Sequence, residues 1–165
     1  VETSNTRRIV RALEVIEITG RPFSASLPRY EDIAPTVHIA LRCERRLLDK
    51  RINERARAMF DGGLVEEVEA LIDQGIREGE TAPRAIGYAQ ALAVIDGTMS
   101  VPEAVDSTAL ATRQLASRQI KWFRRDPRLH WIDVALTEAG QCTDSERSRL
   151  TRQAWELVCA RRGVA

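Results

Sequence analysis

No apolar run in this 165-residue sequence approaches the ~18 residues that a membrane-crossing helix needs, and no signal-peptide pattern opens it. Cysteine is scarce and scattered: Cys43, Cys142 and Cys159 lie far apart with no CxxC spacing. That pattern belongs to reduced thiols in a cytosolic protein, and it excludes a zinc site or a disulfide framework. Only two histidines occur, His38 and His130, neither with a metal-ligand partner at motif spacing, so both read as structural or exposed residues. The sequence holds no GxxxxGK[ST] phosphate loop, GxGxxG, DDxxD cluster, HExxH or nucleophile elbow, so it carries no self-sufficient phosphate-activating site. A net charge of +1 excludes a generally basic nucleic-acid coat.

Lysine is almost missing too. Of the 25 basic residues only Lys50 and Lys121 are lysine, leaving 23 arginines. A GC-rich genome would produce this bias, and so would a need for planar, bidentate phosphate recognition, so position has to decide. With 44% hydrophobic and 30% charged residues the chain has the composition of one folded domain, able to bury roughly two thirds of its unfolded surface. It opens at Val1 without methionine and enters a helical pattern almost at once. The expectation is that it forms the back part of a longer protein.

Ser4, Asn5 or Thr6 can cap a helix over about 7–19, stopped by Gly20. Three arginines, Arg7, Arg8 and Arg11, stand in its first turns, where the helix dipole disfavours cations; a nearby anion or a solvated face would account for them. A connector with Pro22, Pro28 and Pro35 follows. Residues 36–42 alternate as a strand. A helix over 44–60 is expected to bury Leu48, Ile52, Ala56, Met59 and Phe60, and a second helix over 64–74 ends at Gly75. Helices over 84–95, with Gly87 inside it, and 103–123 come next; Ser100, Pro102 and Glu103 start the latter. A short strand over 129–134 and a tail helix over 144–161 complete the chain. Two strands cannot make a stable sheet alone. They read as pieces of a parallel α/β sheet whose other strands lie elsewhere.

Three constellations could carry chemistry. Arg51 and Arg55 share a helix face at i, i+4, a repulsive pair that a bound phosphate or diphosphate would reverse; from the pair alone, a solvated arginine ladder relieved by Glu44 or Glu54 is the favoured reading. Gln114, Arg118, Lys121 and Arg125 form one cationic stripe beside Leu115 and Trp122, as a nucleic-acid contact or an ordinary amphipathic helix would have. In Arg84-Ala85-Ile86-Gly87-Tyr88 a glycine permits close backbone approach, and the tyrosine could stack on a base or bond a phosphate.

At these residues the sequence resembles the tRNA dimethylallyltransferase (isopentenyltransferase) family. The resemblance rests on four blocks in register: Arg7 to Val15 with Thr19-Gly20-Arg21-Pro22-Phe23-Ser24; Arg51-Ile52-Asn53-Glu54-Arg55 with Met59, Gly63-Leu64 and Glu66-Glu67-Val68; Ala85-Ile86-Gly87-Tyr88; and Thr112-Arg113 through Ala116, Arg118-Gln119 and Trp122-Phe123-Arg124. It spans about 5–133. The resemblance implies a mostly α chain with a few strands: the C-terminal part of an α/β P-loop NTPase-like core, with a remnant of a helical insertion domain. Residues 1–35 would end the insertion domain, 36–134 would belong to the core and 135–165 would form a tail helix without a motif.

The implied activity is transfer of a dimethylallyl group from its diphosphate to the exocyclic amine of the adenosine 3′ of the anticodon. It would require an N-terminal half carrying the phosphate loop, the aspartate that acts on the amine and most ligands of a Mg2+ ion. Implied partners are a tRNA anticodon stem-loop and dimethylallyl diphosphate, with no membrane, in a cytoplasmic monomer. Carried over by position, Arg55 with Arg51 beside it would face the diphosphate. Arg7, Arg8, Ile9, Val10 and Arg11, and Arg84, Ala85, Ile86, Gly87, Tyr88 and Ala89, would contact tRNA. Arg113, Arg118, Gln119 and Trp122 would lie near RNA or diphosphate. The sequence departs from the family pattern at Ser4-Asn5, Ala89-Gln90 and Ser117, and the last two remove cations. A non-catalytic helical RNA-binding module, and an enzyme that prenylates free adenine nucleotides, are the competing expectations.

Overall fold

The computed structural model describes residues 6–23 and 30–162. The caps expected at Ser4 or Asn5, Pro28, and Ser24 of the first block lie outside them. The chain divides into two units, residues 1–31 and 32–165. In the first, helix α1 (Thr6–Thr19) leaves Val10, Leu13, Ile16 and Ile18 exposed and buries Ala12.

The second unit runs β1 (His38–Arg42), α2 (Arg45–Asp61), α3 (Leu64–Ala70), two short 3-10 turns (Ile76–Glu78 and Ala82–Arg84), α4 (Tyr88–Ile95), α5 (Val101–Phe123), β2 (Leu129–Asp133) and α6 (Asp144–Arg162). As expected, it is mostly helical with little sheet. The two strands pair with each other in parallel, His38 opposite Leu129 through to Arg42 opposite Asp133, so 86 residues of mostly helix connect two neighbours in one sheet. Bidentate contact of Arg42 Nε and Nη2 with Asp133 fastens the end of the ladder, at 2.5 and 3.0 Å.

The core lies at the other end of the unit. Phe60, Leu64, Val68, Ile76, Ala91, Leu92 and Ala104 form one buried cluster from α2, α3, α4 and α5. On α2 the buried positions are Leu47, Ala56 and Phe60; Leu48, Ile52 and Met59, expected with them, are half-buried. The helix expected over 64–74 stops at Ala70 because the chain turns at Leu71 toward Gly75, whose φ is +82°. At the start of α5 the Ser100 N–H and hydroxyl both donate to Glu103 Oε2, at 2.8 and 2.6 Å, which is the expected helix-start signature.

A larger correction concerns Gly87. The expected helix over 84–95 begins only at Tyr88, because Ala85 is extended and Gly87 sits at φ +99° as the residue before the first turn. Its N–H donates to Gln90 Oε1 at 2.8 Å, while Met59 and Leu64 close over its missing side chain.

An ionic cluster ties the start of this unit to the approach to β2. Arg128 donates through Nε and Nη2 to Asp126, at 3.0 and 2.7 Å, and through Nη1 to Asp32. His38 Nε2 lies 2.9 Å from the same Asp32 oxygen. Those bonds hold the Asp126 carboxyl down at about 2. On α6, Arg149 and the Ala135 N–H hold the Glu146 carboxyl at about 2. Both carboxylates are depressed in the folded state, so their stabilisation is complete above the ordinary range near pH 4 and is lost as pH falls towards 2. Denaturant unfolding between pH 5 and 2 should therefore show an acid-side loss of stability that flattens in an Asp126→Asn, Glu146→Gln double variant. An unchanged acid limb in that variant would refute the assignment.

Candidate anion cleft and RNA-facing surfaces

One helical turn separates Arg51 from Arg55 on α2, so both guanidinium groups leave the same face. The opposite wall comes from residues 137–142, between β2 and α6. Gly140 N–H bonds Thr137 O at 2.8 Å, and Thr137 Oγ1 accepts the Gln141 N–H at 3.1 Å. Side chains of α2 then hold this turn: Arg46 forks onto Glu138 at 3.0 Å and Lys50 Nζ donates to Glu138 O at 2.7 Å. Arg46 keeps the Glu138 carboxyl below its usual range.

Gly140 is buried at φ +70°, and a Cβ there would stand 3.3 Å from Arg51 Cβ and 3.4 Å from Leu47 O. The positive φ and the tight approach together favour glycine there. Arg51 Nη1 in turn reaches Gly140 O at 3.4 Å.

Between helix and turn lies a cleft of about 500 Å3, lined by Arg51, Glu54, Arg55, Gly140, Cys142 and Arg147 among others. Three arginines and one glutamate line it, a composition suited to an anion of two or more charges. A second cavity, about 530 Å3, is walled by Ile39, Leu41, Leu48, Ile120, Phe123 and Trp131 and also reaches Arg51 and Gln119. Arg51 thus stands where a cationic cleft meets an apolar one. Burial raises the Cys43 thiol beside it above its ordinary value, against the pull of Arg51.

Among the other expected site residues only Gln119 lines one of these two cavities. Arg7, Arg8, Val10 and Arg11 are exposed on α1 and Ile9 is half-buried; Arg11 pairs with Glu14 at 3.2 Å. Arg84 and Ala85 are exposed ahead of α4, whereas Ile86, Tyr88 and Ala89 are half-buried and Gly87 is buried. The Tyr88 hydroxyl donates to Glu67, which raises its pKa. None of residues 84–89 lines either cavity.

Arg113 is engaged between helices, donating to Asn53 of α2, while Arg45 reaches its carbonyl at 3.4 Å and Ser117 Oγ at 2.7 Å. Arg118, Gln119 and Trp122 are exposed on α5. Trp122, 64% exposed, meets Phe123 edge-on with centroids 5.1 Å apart. The 137–142 turn and Arg147 were not among the expected site residues; the tail that supplies them carries no motif, and only the Thr137-to-Gly140 turn spacing hints at a fixed loop.

Among the described residues no three His, Cys, Asp or Glu side chains converge as a metal centre requires, and the cleft offers the single carboxylate Glu54. These residues do not fit a magnesium site. No helix among the described residues is long and apolar enough to cross a membrane.

Comparison with known proteins gives a consistent picture. The family model for IPP transferase matches residues 1–126. The chain is 54% identical to the tRNA dimethylallyltransferase of Streptomyces avermitilis over 84% of its own length and 46% of that protein. With the enzyme of the same name from Mycobacterium tuberculosis it shares 47% identity over 93% of its length and 49% of that protein. Among solved structures it superposes on the full-length tRNA isopentenylpyrophosphate transferase of Bacillus halodurans with TM-score 0.66 and 30% identity, covering 99% of this chain and 49% of that one. The corresponding Staphylococcus epidermidis enzyme gives TM-score 0.63 and 28% identity, over 94% and 50%. The chain therefore spans about half the length of the relatives it matches.

Proposed function

The chain belongs to the IPP transferase family, and from that premise we propose that it forms the C-terminal part of an enzyme that moves a dimethylallyl group from dimethylallyl diphosphate to the exocyclic amine of the adenosine 3′ of the anticodon. Residues 1–35 end the insertion domain that grips the stem-loop, 36–134 complete the catalytic core and 135–165 form the tail. The observation that carries this reading is the convergence of Arg51 and Arg55 on one cleft, opposite a turn fastened to their helix.

In the reaction the bond between the allylic carbon and the diphosphate oxygen breaks, and its electron pair stays with the diphosphate. The amine lone pair forms the new carbon–nitrogen bond, and the amine proton passes to a base outside these residues. Magnesium would likewise take its ligands elsewhere. Negative charge on the diphosphate is greatest at the transition state, so guanidinium groups fixed beforehand favour it over the bound substrate. The target base must leave its stack, and loop bases are the least costly to extrude. Exposed arginines on α1, Arg84, and Arg118 with Trp122 on α5 supply phosphate and stacking contacts to the RNA, whose binding weakens as salt rises.

The complete polypeptide, supplied with radiolabelled dimethylallyl diphosphate, should label an anticodon stem-loop and leave free AMP unlabelled, and residues 1–165 alone should label neither. Labelling of AMP at a comparable rate would replace this reading with a nucleotide prenyltransferase. Stem-loop binding by the complete polypeptide without any transfer would replace it with a non-catalytic RNA module.

A further inference from the structure

Arg147 stands on the first turns of α6, 21 residues beyond the end of the family match at 126, yet it lines the same cleft as Arg51 and Arg55. We propose that Arg147 is a third diphosphate-binding guanidinium, supplied by the tail. The inference rests on the reading of that cleft as the diphosphate site.

The placement is fixed from both sides. Upstream, Glu138 and Gly140 are bound to α2 as described above. Downstream, Arg149 donates to Asp133 O at 2.6 Å and to Glu146 Oε1 and Oε2 at 2.7 Å, and Glu146 Oε1 accepts the Ala135 N–H at 2.8 Å. The first turn of α6 is thereby tied to the end of β2, and Arg147 follows Glu146 directly. Its ion-pair partner is held loosely: Asp144 at 3.4 Å, with 68% of the Arg147 side chain exposed. Three guanidinium groups against Glu54 in the cleft and Asp144 beside it leave a local excess of one positive charge. Such clustering is unfavourable without an anion and favourable with one. The non-bridging oxygens of a diphosphate ester, each with more than one lone pair, can accept from three guanidinium groups at once.

The test uses the complete polypeptide and inorganic pyrophosphate as probe, with dimethylallyl diphosphate for kinetics. Arg147→Ala should weaken pyrophosphate binding and raise the KM for dimethylallyl diphosphate about tenfold, the equivalent of one lost charge-assisted hydrogen bond. Arg147→Lys should recover part of that loss. Stem-loop affinity should not move. Asp144→Asn, which frees Arg147 from its neighbour, should bind pyrophosphate at least as tightly as the parent. If Arg147→Ala leaves pyrophosphate binding unchanged while Arg55→Ala weakens it, the tail has no part in the site, and the reading of the cleft survives. If neither substitution weakens it, the cleft itself is misread. If Arg147→Ala weakens only the stem-loop, the residue is an RNA contact and the proposal is overturned.

Discussion

Replacing Arg55 with alanine in the complete polypeptide should lower the rate of dimethylallyl transfer about 100- to 1,000-fold while leaving stem-loop affinity nearly unchanged, the loss typical of one preorganised donor to a developing anion. The split follows from where the charge changes. RNA phosphates carry the same charge before and during the reaction, so a residue that serves them affects binding and rate together. The diphosphate gains negative charge only as the carbon–oxygen bond breaks, so a residue that serves it affects the rate most. Arg55 is exposed on the cleft, so its removal leaves no buried group unpaired and should cost little stability.

Arg51 differs. Its guanidinium reaches Gly140 O, and its Cα and Cβ pack on that glycine, so Arg51→Ala should combine a rate loss with a loosened 137–142 turn. Stem-loop binding and transfer lost in equal measure in the Arg55 variant, measured by filter binding and single-turnover kinetics, would remove Arg55 from the diphosphate site.

Much of this arrangement was legible in the sequence, and the parts that were not share a cause. Helices α1, α2 and α5 and the strand at 129–133 follow from local signals: spacing of apolar residues, a Ser100–Glu103 start, glycine and proline stops. The pair Arg51 and Arg55 was legible for the same reason, since four residues along a helix define a face. Gly87 was misplaced because a glycine amid Ala, Ile and Tyr at helical spacing looks like a tolerated interior residue. Its real conformation is set by Met59 and Leu64 and by a Gln90 side chain folding back onto its N–H, none of which a periodicity can register. Arg147 was invisible on the same grounds: it reaches the cleft only because Glu138 and Gly140 lock a turn onto a helix some 90 residues earlier in the chain. Local chemistry was readable; contacts over long sequence separations were not.

Gly87 yields the second large effect. Gly87→Val should destabilise the protein by about 2–5 kcal/mol, adding the strain of a β-branched residue at positive φ to the crowding of a filled core. The backbone there has φ +99°, and even the first added carbon would lie 3.3 Å from Met59 Cε and 3.6 Å from Leu64 Cδ2. Gln90→Ala removes the bond to the Gly87 N–H together with a longer one, at 3.4 Å, from Gln90 Nε2 to Ser107 Oγ, and should cost about 0.5–1.5 kcal/mol.

Equilibrium unfolding ranks the two, and a valine variant as stable as the parent would show that the turn can relax into an ordinary helix. The functional consequence separates scaffold from contact. Arg84 and Ala85, exposed and proposed to meet the RNA, are carried on the same turn that Gly87 closes. Among molecules still folded at low temperature, Gly87→Val should bind the stem-loop more weakly than the parent, as Arg84→Ala should with no loss of stability. Tyr88→Phe, which deletes the bond to Glu67 but keeps the ring, should leave that affinity intact if the ring is what RNA meets. Should Arg84→Ala and folded Gly87→Val both bind with parental affinity, the turn before α4 serves the core alone, and the grip on RNA belongs to α1 and the end of α5.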